Sequence, residues 1–136
     1  MADGGSKLRI LGAWGPAVAW MALIFFVSAL PKLPALPSMF GIDKIQHAAA
    51  YLILGLLLYR AAALTGMKPY MYSFTIGALY GAFDEIHQGF VPGRDMSGAD
   101  WLADILGLAI ALLAVAVIIK YRSKGEDDLG RGRKRV

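Results

Sequence analysis

The chain has 136 residues, room for one compact domain, and 57% of them are hydrophobic, too apolar for a soluble domain of this size. It has no cysteine, which excludes disulfides, Cys-ligated zinc, iron–sulfur clusters and thiol catalysis. The net charge of +4 sits in the stretch from Lys120 to Val136, seven basic residues against three acidic, so no basic stripe is left for a nucleic acid.

Met1 to Lys7 reads as a polar, disordered lead containing Gly4 and Gly5. Leu8 to Leu30 is an apolar run long enough for a bilayer core of ~30 Å at ~1.5 Å per residue. Pro16 lies inside it and is expected to kink it. A cleaved signal peptide is the alternative, with Lys7 and Arg9 as its basic start and Val27-Ser28-Ala29 as a small-residue site. The apolar run is longer than the ~7–15 residues such a peptide needs, which favours a retained membrane helix. Pro31, Pro34 and Pro37 then predict an extended connector.

Asp43 is the expected N-cap of a second helix from Lys44 to about Leu64, ended by Thr65-Gly66. A third helix runs from Pro69 to Gln88, broken by Gly89, and Val91 to Arg94 is a turn. Ser97 is a plausible cap for a fourth helix from about Ala99 to Tyr121, followed by a basic cytoplasmic tail over 122–136. The expected fold is therefore all-α, an integral-membrane four-helix bundle over residues 8–121. The Gly77-x-x-x-Gly81 pair suits close helix packing, within one chain or between two in a homo-oligomer.

Lysine and arginine positions set the expected orientation. Lys7 and Arg9 precede the first helix, Arg60 and Lys68 flank the loop after the second, and the tail is the most basic part of the chain. Both termini and that middle loop are expected in the cytoplasm. The start of helix two, the end of helix three and the start of helix four then share the outer side. Asp43, Asp84, Glu85, Asp95, Asp100 and Asp104 lie there, and so do His47 and His87.

Helical spacing puts Lys44, His47 and Tyr51 on one face, Asp84 with His87 and Gln88 on another, and Asp100, Asp104 and Gly107 on a third. Trp101 is placed to sit in the interfacial belt. Singly, these residues have ordinary explanations: Asp100 sits in a first turn where the helix dipole favours an anion, and Lys44 and Arg94 could reach for the interface. Ionisable groups delivered to one end by three helices point instead to a polar site.

Carboxylates and imidazoles without a thiol suit a divalent cation, and a lysine beside an arginine suits a phosphate. Metal-assisted or acid–base phosphoester chemistry on a lipid head group fits these parts, as does a closed hydrogen-bond network without reaction. Haem ligation by His47 and His87 is a third reading, disfavoured by the surrounding carboxylates. No HExxH, nucleophile elbow or phosphate-binding loop selects among them.

Three blocks in order, Asp43-Lys44-x-x-His47-x-x-x-Tyr51-x-x-x-Gly55, Asp84-Glu85-x-His87-Gln88-x-Phe90-x-Pro92-Gly93-Arg94, and Asp100-x-x-x-Asp104-x-x-Gly107, resemble the VanZ-like family of small membrane proteins. The likeness covers roughly Ser28 to Gly107; it departs at Asp104, where the family often has Asn. The resemblance implies a bacterial inner-membrane protein; the family's founding member is associated with low-level resistance to the glycopeptide teicoplanin, which neither fixes a reaction nor extends resistance to this chain. The resemblance carries over Asp43, Lys44, His47, Tyr51, Asp84, Glu85, Gln88, Arg94, Asp100 and Asp104. The working assignment has Glu85, His47 and Asp84 as catalytic residues and Asp84, Asp100 and Asp104 as cation ligands. Lys44 and Arg94 clamp a lipid phosphate, with Gln88, Tyr51 and Asp43 beside them.

Overall fold

The first helix, α1 (Asp3–Ser28), passes through Pro16 unbroken in the computed structural model, which describes residues 3–31 and 41–133. It begins at Asp3, so Asp3 to Lys7 are helical rather than a disordered lead: the helix runs on through Gly4-Gly5 from the apolar span that follows, with no proline before Pro16 to stop it. The expected Pro31–Pro37 connector lies outside the described residues beyond Pro31.

The second helix, α2 (Ile42–Leu64), is capped by Gly41 in the left-handed conformation (φ 104°), with no side-chain cap bond. Asp43 is therefore inside the first turn and not the N-cap, because a glycine that can adopt positive φ has already turned the chain. Its far end is a Schellman motif: Met67 N–H donates to Ala62 O (2.9 Å) and Gly66 N–H to Ala63 O (3.3 Å), with Gly66 at φ 75°.

The third helix, α3 (Pro69–Gln88), starts on a proline that needs no hydrogen-bond acceptor there and ends at Gly89. The fourth, α4 (Gly98–Arg133), has the Ser97 hydroxyl accepting from Asp100 N–H at 3.2 Å, the expected N-cap. It continues past Tyr121 to Arg133, because Lys, Arg, Glu and Leu favour helix and no proline follows. The basic tail thus extends the helix instead of leaving it.

No strand occurs among the described residues, and the all-α bundle is as expected. Three helices are long and apolar enough to cross a membrane: Gly5–Ser28, Ile42–Leu64 and Gly98–Gly125. α3 is not among them, since Asp84, Glu85, His87 and Gln88 crowd its last turn.

α2 and α4 run parallel and closest. Lys44 faces Asp100, His47 faces Asp104, Ala48 faces Gly107 and Gly55 faces Ala111. α3 runs against both, and its Gly77 and Gly81 make room for Leu108 and for Asp104 and Trp101 of α4. That glycine pair packs within the chain. Trp101 also binds Ala78 O of α3 through its indole N–H (3.1 Å), so it ties two helices.

α1 leans on the outside of this trio. Trp20 Nε1 donates to Ala50 O at 2.9 Å and the Tyr80 hydroxyl to Met21 O at 2.6 Å. The apolar centre is Ala17, Ile24, Tyr51, Leu54, Leu58 and Leu108. Leu11, Phe26, Leu79 and Leu113 are exposed around it, as a surface bathed in lipid requires.

Candidate functional site

All four helices bring polar groups to the same end: α1 with its last residue, α2 and α4 with their first turns, α3 with its last. Ser28, Asp84, Glu85, Gln88, Asp100 and Asp104 are all buried there. The buried set falls into two connected halves.

The first half joins α1, α3 and the turn after it. Asp84 accepts from Ser28 Oγ at 2.5 Å and from Gln88 Nε2 at 3.0 Å, one bond to each oxygen. Gln88 Oε1 accepts from Arg94 Nη1 at 3.2 Å. The same guanidinium donates to Leu30 O (2.9 Å), just past α1, and to Val27 O (3.1 Å) in its last turn, which also accepts the Leu30 N–H; a cation is favoured at this helix end.

These groups border a cavity of about 420 Å³ between α1, α2 and α3. Its α1 wall is apolar, made by Trp20, Leu23, Ile24 and Val27; the opposite wall carries Asp43, Gln46, His47, Tyr51, Asp84, Gln88 and Arg94. Tyr51 is buried and its hydroxyl has no hydrogen-bond partner.

The second half joins α2, α3 and α4. Lys44 Nζ meets Asp100 Oδ1 at 2.9 Å. His47 Nδ1 lies 3.0 Å from Asp104 Oδ1 and 3.7 Å from Glu85 Oε1. Glu85 Oε2 accepts the Ser97 backbone N–H at 2.9 Å. In a capping box that N–H is taken by a carboxylate of its own helix; here α3 supplies the carboxylate and fixes where α4 begins. His47 belongs to both halves, because it also lines the cavity.

Every residue of the working assignment therefore reaches this end, though not in one cluster. Asp84 faces α1, whereas Asp100 and Asp104 face α2, so the three expected cation ligands are not gathered together. The gathered set among the described residues is His47, Glu85 and Asp100, whose ligand atoms lie within 4.8 Å of one another. Asp95 is exposed. The His87 ring stacks on Phe25 with centroids 4.3 Å apart, while His47 turns to Asp104 and Glu85, so the two imidazoles serve different neighbours.

Ser28 and the end of α1 are absent from the sequence-based set. A serine closing an otherwise apolar span was the available signal, and it also fits the small-residue pattern of a cleavage site. Ser97 emerges as a partner of Glu85 as well as a cap.

The VanZ/LLP1 family model matches residues 13–120, which takes in α2 and α3 whole, parts of α1 and α4, and every residue of both halves. No curated protein and no solved structure matches the chain.

Proposed function

The chain belongs to the VanZ/LLP1 family, and from that premise we propose that this membrane protein binds the phosphate head group of a lipid, or of a lipid-linked envelope intermediate, in the cavity beside α1. One observation carries the reading: a cavity of about 420 Å³ is apolar along α1 and polar opposite, the division a lipid needs at its head–tail junction. Arg94 uses three of a guanidinium's five donors on the protein, which leaves donors for phosphate oxygens. The unpartnered Tyr51 hydroxyl adds another. Asp84 accepts from Ser28 and Gln88 on its two oxygens, which fixes its carboxylate in place instead of leaving it free to swing toward a bound phosphate.

Filling the cavity tests the reading without removing a charge. Ala50 lines it, and Ala50→Leu is expected to abolish the phospholipid or polyprenyl phosphate that accompanies the wild type in native mass spectra from mild detergent. A bare wild-type mass, or equal lipid on both proteins, sinks the proposal.

Hydrolysis of the phosphoester is a second reading, favoured by His47 on the cavity wall with the buried Asp104 3.0 Å behind it. A carboxylate holding one imidazole nitrogen orients the ring for acid–base work at the other, with Glu85 alongside. A role in glycopeptide resistance would follow from altered envelope lipid, and it belongs to the same proposal.

The reading places the chain in the bacterial inner membrane with four crossings, both termini in the cytoplasm and the site outside. The absence of cysteine makes this testable with a single introduced thiol. Asp95→Cys, at an exposed position in the α3–α4 turn, is expected to react with a membrane-impermeant maleimide added outside intact spheroplasts. Labelling only after lysis would invert the orientation.

A further inference from the structure

Glu85 is 3% exposed, and while Oε2 is used by Ser97 N–H, Oε1 makes no hydrogen bond at all. A buried carboxylate oxygen with no partner is costly, more so where lipid replaces water. Oε1 stands 3.7 Å from His47 Nδ1, and a ligand-capable atom of Asp100 completes a set within 4.8 Å. Neighbouring ligands on one ion with bonds of ~2.0–2.2 Å are ~3–3.5 Å apart, so the side chains must close in by about an ångström to share a cation.

Charge points the same way. Glu85, Asp100 and Asp104 contribute three carboxylates to this half of the site, and Lys44 is the lysine that meets them. With His47 neutral, three negative charges against one positive leave two, the charge a divalent cation balances. Lys44 is half exposed and bonded to Asp100 Oδ1, so it can leave that oxygen without unburying anything.

We propose that His47, Glu85 and Asp100 form a divalent-cation site at the junction of α2, α3 and α4. Glu85 is its keystone: one oxygen holds the start of α4 and the other faces the ion. Asp104 is fully buried and its Oδ1 lies 3.0 Å from the same His47 Nδ1, so it is a positioning residue that holds the ring at the set and gives up that nitrogen when the ion binds. One nitrogen and two carboxylates suit a cation of borderline hardness, so Mn²⁺ and Zn²⁺ are favoured over Mg²⁺ and Ca²⁺. Lys44 and Asp100 mark the open side, and the site does not depend on lipid occupying the neighbouring cavity.

The test uses the full chain in detergent, stripped with chelator and titrated with Mn²⁺ under calorimetry and electron paramagnetic resonance. The wild type is expected to take up a single Mn²⁺ per chain and to melt higher with it than without it. Glu85→Gln keeps an oxygen for Ser97 N–H and Asp100→Asn keeps the helix's first turn; each is expected to weaken Mn²⁺ binding by roughly tenfold or more. Asp95→Asn, at an exposed acid outside the set, is expected to bind as the wild type does. Circular dichroism confirms that each variant is folded, so a loss of binding is not a loss of structure. Three outcomes overturn the proposal, the first two being no uptake by the wild type and equal weakening in Asp95→Asn, which would reduce the effect to general charge attraction. An oxygen-only Mn²⁺ signal that ignores His47→Gln removes the imidazole from the set and overturns the site as stated.

Discussion

Gly107→Ala is expected to destabilise the protein by about 3 kcal/mol, read as a lowered melting temperature in detergent. α2 and α4 meet backbone to backbone at this point. A Cβ on Gly107 would drive into the carbonyl oxygen of Ala48 and stand 3.0 Å from Leu52 N. Those are main-chain atoms of a helix, which cannot rotate aside as a side chain would. The displacement would also part Lys44 from Asp100 and His47 from Asp104, which hang on the same helix pair. Gly15→Ala is the matched control, since nothing lies within 4 Å of a Cβ there, and helix propensity alone makes it neutral or slightly stabilising. If the two variants melt alike, α2 and α4 are farther apart than described.

Arg94→Ala is expected to remove both lipid binding and the tether on α1. Three bonds go at once, to Val27 O, Leu30 O and Gln88 Oε1. A half-exposed guanidinium in this role contributes about 2 kcal/mol to stability, less than the sum of three isolated bonds because they share one side chain. Hydrogen exchange should quicken in the last turn of α1 and leave the α2–α4 core unchanged. Arg94→Lys restores charge without the planar fork and is expected to recover only a small part of either property. Full recovery by lysine would mean that charge alone matters and that the geometry at the end of α1 does not.

Much of this was readable before the structure because it is local. Spacings of three and four residues put Lys44, His47 and Tyr51 on one stripe and Asp100, Asp104 and Gly107 on another; the parallel α2–α4 pair sets one stripe against the other. Residues that act across the sequence were harder. Nothing near Asp84 announces that Ser28 will be its partner, 56 positions away. Nothing near Glu85 announces that it will cap another helix. Asp43 looked like a cap by composition, yet Gly41 does that work through a backbone angle that residue type only permits. The division of the polar residues into two halves depends on which way α3 is rotated. That rotation is set by Gly77 and Gly81 yielding space to Leu108, Asp104 and Trp101, a matter of packing and not of pattern.

The polar end of α3 also bears on how the chain is made. Asp84, Gln88 and one oxygen of Glu85 find their partners only because α1 and the turn leading into α4 supply Ser28, Arg94 and Ser97. Released alone into hydrocarbon, each carboxylate at mid-depth would cost ~2.5–3.5 kcal/mol, and near a helix end less. α3 is therefore a poor candidate for independent insertion by the translocation machinery. α1, α2 and α4 carry enough apolar length to partition by themselves. With the four crossings proposed above, α3 is expected to complete its insertion only once α4, which emerges from the ribosome after it, is there to pack against it. On that topology assembly would run out of step with sequence order, a delay imposed by the buried carboxylates.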